Sequence, residues 1–164
     1  MELLALFDEN NKVLADESIS RDKKSTLCAS KRYKVVMIWI QNSKDEFLIQ
    51  LTSPEKNFKY ATTGGHVKFG ADTYQTLVEE VKEELGYSLD ITKVTHIDTI
   101  TTEQAFIEVF YMREDIELDG LVLQKEEVDS VYWYSIDIIK ELFKKDLFLN
   151  AHKLVFERCF LSKK

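Results

Sequence analysis

The chain has 164 residues, 45% of them hydrophobic and 31% charged, with a net charge of −7. That length reads as one domain, residues 1–164, with enough apolar material for a sizeable core. The acidic balance argues against a nucleic-acid polymer as the main partner, and no apolar run approaches the roughly 18 residues of a membrane span.

The opening MELLALFDEN carries a short apolar run flanked by Glu2 and Asp8, which does not resemble a signal peptide. Cys28 and Cys159 show neither CxxC nor Cys/His spacing, so both read as reduced thiols of a cytoplasmic protein. Glu2–Phe7 and Val13–Ala15 flank the turn-rich DENNK and predict a hairpin. Residues 17–32 are polar and predict an irregular surface segment, so residues 1–32 precede a core of residues 33–164. Tyr33–Gln41, YKVVMIWIQ, is a β-branched and apolar run of the kind found in a buried central strand. NSKDE then turns into a second strand, Phe47–Leu51, and Thr52–Lys59 reads as a loop around Pro54. Strands are predicted over Leu89–Thr102, Ala105–Arg113 and the VYWYSI segment, and helices over Asp137–Lys145 and Asn150–Phe160. Strands interrupted by one central and two late helices predict an α/β fold, with a mixed sheet between helical layers.

The most informative stretch is Gly64–Tyr87, GGHVKFGADTYQTLVEEVKEELGY. Asp72 followed by Gln75 predicts a helix start, Gly86 a helix end, and Val78, Val81 and Leu85 an apolar stripe. Glu80, Glu83 and Glu84 stand at i, i+3 and i+4 and share a face. Like charges at that spacing repel by roughly 0.2–0.5 kcal/mol per pair, and a hard divalent cation with oxygen ligands would offset this. An EExxEE run is by itself more often a solvated helix face; the flanking glycines and the cap favour the metal reading here.

These residues resemble the box of the Nudix hydrolases, G-x5-E-x7-R-E-U-x-E-E-x-G-U, where U is bulky and apolar. Gly65, Glu80, Val81, Glu83, Glu84, Gly86 and Tyr87 fall on its positions. Two positions depart from it: the first box acid is Ala71, and the arginine is Glu79. The opening hairpin, VVMIWIQNSKDEFLIQ, TTGGHV and LVLQKEEVDSVYW further resemble the Nudix branch related to isopentenyl diphosphate isomerase. Isomerisation is not expected, because the isomerase cysteine would fall on Gly64 and one of its metal-binding histidines on Tyr33.

The resemblance implies an α/β/α sandwich with a central mixed sheet and an N-terminal hairpin. It implies a metal-dependent hydrolase of a small nucleoside diphosphate-type compound using Mg²⁺ or Mn²⁺. The implied ligands are Glu80, Glu83, Glu84 and the Gly64 carbonyl, with Glu80 and Glu83 also catalytic. Glu127 in the QKEEV loop is the candidate base and Glu126 the second choice. The resemblance makes a homodimer an assembly to consider. Glutamate cannot imitate the planar fork of the missing arginine, and Ala71 removes a carboxylate that would orient ligands, so reduced turnover is expected. The rival reading is a catalytically impaired module that binds a phosphorylated ligand; a weaker one is an acidic interaction domain. His66 could donate to a phosphate or pack in the glycine turn. Phe58 and Tyr60 are candidates for a pocket wall. Trp39 and Trp133 read as core, and His96 and His152 as structural or surface residues.

Overall fold

The computed structural model describes residues 2–27 and 30–162, so Cys28 lies outside the described residues. Its chain order is β1 (Leu3–Phe7), β2 (Val13–Ser20), β3 (Tyr33–Gln41), β4 (Phe47–Thr52), β5 (Tyr60–Ala61), β6 (Thr63–His66), α1 (Thr73–Leu85), β7 (Thr95–Thr101), β8 (Ala105–Arg113), β9 (Val128–Tyr134), α2 (Ile136–Lys144) and α3 (Asn150–Phe156). The last helix continues as a π-helical turn, Glu157–Leu161.

β3 is the central strand, and its apolar run has the reason expected of it. It pairs in parallel with β8 along its whole length and antiparallel with β6, where Val36 faces Gly65 and Met37 faces Gly64. Both faces are covered. Val36, Ile38 and Ile40 pack with Leu77, Val81 and Leu85 of α1, while Met37 and Trp39 pack with Ile139, Phe143, Val155 and Phe156 of α2 and α3. The period-two alternation of a strand thus feeds two cores at once. β4 pairs with β9, and β7 closes the far side through β8, giving a mixed sheet between helical layers.

Several expected boundaries move. Residues 17–32 are not wholly irregular: β2 runs on to Ser20, paired with Leu3, and a 3₁₀ turn follows at Arg21–Thr26. A two-stranded ribbon with one solvated side tolerates polar residues, and that hid the strand. The strand expected from Leu89 begins only at Thr95, because the Asp90 side chain accepts from the Thr92 N–H at 3.1 Å and opens a 3₁₀ turn, Ile91–Lys93. Within Thr52–Lys59, Pro54–Lys56 forms a 3₁₀ turn.

The hairpin β1–β2 docks on the loop after β6, with Ala5 donating to the Val67 carbonyl at 3.1 Å and Phe69 to that of Leu3 at 2.9 Å. Among the described residues no helix is long and apolar enough to cross a membrane.

Candidate active site

α1 is held at both ends. Asp72 Oδ1 accepts from the Gln75 N–H at 2.7 Å, and Gly86 at φ 67° donates its N–H to the Lys82 carbonyl. Between these ends Leu77, Val81 and Leu85 are wholly buried, which fixes the rotation of the helix about its axis. That rotation turns Glu80, Glu83 and Glu84 into a cleft of about 220 Å³ that is also lined by Gly64, His66 and Glu127. A second hollow of about 200 Å³ shares Gly64, Glu84 and Glu127 with it and continues past Thr52, Thr62 and His152. Glu126 lines neither hollow; its backbone carbonyl accepts from Ser53 Oγ at 2.7 Å. Glu79 is exposed and lines neither hollow. Asp72, next to the missing box acid at Ala71, is spent on the helix cap.

The two glycines leave room for different things. A Cβ on Gly65 would sit 2.3 Å from Glu80 Cδ, so the bare glycine is the space the Glu80 carboxyl fills. A Cβ on Gly64 would sit 2.3 Å from the Val36 carbonyl oxygen, so there glycine permits the pairing with β3.

Glu84 is buried and accepts from Gln50 Nε2 at 3.1 Å. Burial pushes its carboxyl up to about 9, despite the Gln50 hydrogen bond, and the charge of Glu80 adds to the rise. Glu80 is raised as well, first by burial and also by Glu83. Two adjoining buried carboxyls disfavour simultaneous ionisation. Among the described residues no three His, Cys, Asp or Glu side chains enclose a ready-made metal cage. The donor set nevertheless fits a hard divalent cation: it is all oxygen, and it gathers like charges that such an ion would offset.

Around this core stand residues that sequence reasoning did not assign to the site. Arg21 lines both hollows, and Glu2 and Gln124 the first. Lys24 Nζ lies 2.8 Å from His66 Nε2, and the His66 ring stacks on Tyr33 at 5.5 Å. Burial and then the charges of Lys24 and Arg21 hold His66 down to about 3, so it is a neutral acceptor and not a cation. His152 belongs to the cleft wall, where Nδ1 accepts from the Thr62 N–H at 3.1 Å. The only advance signal for the basic residues was the RDKK cluster following the hairpin. Trp39 is core, as expected, and His96 is bound to Glu108 at 2.8 Å, away from the cleft.

A family model described as the NUDIX domain matches residues 31–157. The chain belongs to the Nudix family. An uncharacterized Nudix hydrolase of Listeria innocua is 29% identical over 146 residues, covering 87% of this chain and 85% of its own. A counterpart in Listeria monocytogenes is 29% identical over 132 residues, covering 78% and 76%. Among solved structures, DR0079 of Deinococcus radiodurans superposes with a TM-score of 0.79 at 18% identity, covering 97% of this chain and 99% of that one. The NUDIX domain of Shewanella oneidensis NrtR, complexed with ADP ribose, does so with a TM-score of 0.62 at 11% identity, covering 85% and 96%. These likenesses bear out the α/β/α architecture. As a Nudix pyrophosphohydrolase the protein hydrolyses a pyrophosphate-type linkage in a small molecule, in a family that generally uses divalent metal ions.

Proposed function

We propose that this Nudix protein hydrolyses the diphosphate linkage of a small nucleoside diphosphate-type compound with Mg²⁺ or Mn²⁺ held by Glu80, Glu83, Glu84 and the Gly64 carbonyl. The observation that carries the reading is the meeting of these residues and Glu127 on one polar cleft. A divalent cation there supplies neutralisation of the diphosphate charge and a water of lowered pKa. The protein's own part is to hold carboxylates in place. Gly65 makes room for Glu80, Gln50 orients Glu84, and the buried stripe of α1 keeps Glu83 turned inward. Glu127 is the candidate base: its carboxylate is only partly exposed and is restrained by Lys56 Nζ at 3.3 Å.

Each hollow is smaller than the roughly 300 Å³ common for a whole drug-sized ligand. A diphosphate group therefore suits the acidic half, with the organic substituent reaching along the second half. ADP ribose, the ligand of the NrtR domain, is a compound of this general build. Ala71 and Glu79 favour reduced turnover and, as a second reading, a module that binds a phosphorylated ligand without cleaving it.

The test is a screen of nucleotide sugars, dinucleoside polyphosphates and nucleoside triphosphates with Mg²⁺ or Mn²⁺, reading released phosphate or pyrophosphate. One or more should be turned over, and Glu83→Gln and Glu84→Gln should abolish that turnover while the fold stays intact. Wild-type turnover in either variant would remove that residue from the metal site. Binding without turnover would support the second reading.

A further inference from the structure

The acidic half of the cleft poses an electrostatic problem. Glu2, Glu80, Glu83, Glu84 and Glu127 all line it, while the substrate proposed above is itself a polyanion. A cation at the α1 carboxylates would neutralise the phosphate beside it and leave the next one facing Glu2 and Glu127. Among the described residues Arg21 is the one positively charged side chain that lines both halves. Lys68 lines only the first; Lys56 lines only the second and is already paired with Glu127.

Arg21 is also anchored. Its N–H donates to the Glu2 carbonyl at 3.0 Å, and β1, which begins at Leu3, is tied by backbone hydrogen bonds to the chain just after Gly64 and Gly65. Its guanidinium makes one hydrogen bond among the described residues, Nη1 to Glu2 Oε1 at 3.2 Å, and the side chain is 48% exposed. A guanidinium offers five N–H donors in a planar fork that matches a phosphate edge. Most of those donors are uncommitted at the junction of the two hollows. The charge is felt locally too, since it helps to depress both Lys24 and His66 after burial.

We propose that Arg21 is a phosphate-binding residue at that junction, exchanging Glu2 for the substrate phosphate that lies farther from the α1 carboxylates. The inference rests on the diphosphate reading of the site, and Glu2 acts as a resting partner that competes with the ligand.

Calorimetric titration with inorganic pyrophosphate in the presence of Mg²⁺ tests it on the wild type, Arg21→Gln, Arg21→Lys and Glu2→Gln, with thermal melting as the fold control. Arg21→Gln should weaken binding about tenfold or more, as loss of a charge-assisted hydrogen bond implies, and Arg21→Lys should fall between. Glu2→Gln should tighten binding, because the competitor is gone. A merely structural pair would give the opposite sign, with Glu2→Gln weakening binding alongside Arg21→Gln. That result, an unchanged affinity in Arg21→Gln, or a wild type that does not bind pyrophosphate would each overturn the proposal. Binding through Arg21 in a protein that turns over no diphosphate compound would leave the proposal standing and remove the hydrolase reading instead.

Discussion

Glu84 carries the largest electrostatic tension of any carboxyl in the cleft. It is buried beside Glu80, and its pKa rises from the ordinary 4.5 to about 9. Because the folded-state value lies above the unfolded one, the folded protein binds the extra proton between those limits. The stability linked to this group is therefore fully present below about 4.5 and is lost as pH rises toward about 9. Thermal melts of the chelator-treated protein across this window should show a falling midpoint that Glu84→Gln flattens. At the alkaline end the glutamine variant should be the more stable of the two, and added Mg²⁺ should raise the wild-type midpoint only. Parallel profiles for the two proteins would mean that Glu84 is not the group that titrates. The grouping of Glu80, Glu83 and Glu84 was legible from their spacing alone. The burial of Glu84 was not, because Gln50 and Glu127 approach it from distant parts of the chain.

At the scale of the element, α1 was readable almost to the residue, from cap to terminal glycine, because every signal lay within one local stretch. The same helix carries the departure at Glu79. Glu79 is exposed, while Glu83, one helical turn on, reaches the cleft. An arginine at position 79 would stand i−4 to Glu83 and could pair with it, offsetting repulsion along the helix. Glu79→Arg should therefore raise kcat/KM on an identified substrate, with a further gain when Ala71→Glu is added. Each 1.4 kcal/mol of recovered transition-state stabilisation is worth about tenfold. A drop in both kcat/KM and metal affinity would instead make Glu79 a ligand. The terminal helix was also expected, but the turn into a π-helical end at Glu157 was not, since nothing in its apolar spacing distinguishes the two.

Across the whole molecule, one buried network joins the N-terminal hairpin to the sheet. Lys34 and Glu108 form an ion pair at 3.1 Å with both side chains almost fully enclosed. Burial opposes ionisation of Glu108, yet hydrogen bonds from Thr99, Asn11 and His96 and the charge of Lys34 outweigh it and hold the carboxyl down to about 2. Asn11 sits in the turn between β1 and β2, so this carboxylate fastens the ribbon that carries Glu2 and Arg21. Glu108→Gln leaves Lys34 buried without its counter-ion and should cost about 3–5 kcal/mol, read as a drop in denaturation midpoint. If Arg21 serves the cleft as proposed, the variant should also weaken pyrophosphate binding through the displaced ribbon. A midpoint within experimental scatter of the wild type would show that the network makes no net contribution to stability.

The sequence by itself determined the elements whose causes are local. These are the central strand Tyr33–Gln41, the strand Ala105–Arg113, the capped helix Thr73–Leu85 with its glutamates on one face, and the Nudix box. Only the tertiary structure decided which distant residues share the cleft. Arg21 arrives on the turn after a polar hairpin and His152 on the last helix, and neither shares a period with α1. The one outward sign of Glu108 was an interruption in an apolar strand; its four partners come from β2's turn, β3 and β7. Hydrophobic period and capping act over a few residues and leave their mark on the chain in order. Burial, charge pairing and cleft formation depend on how the elements pack, and that is settled only when β3 is covered on both faces.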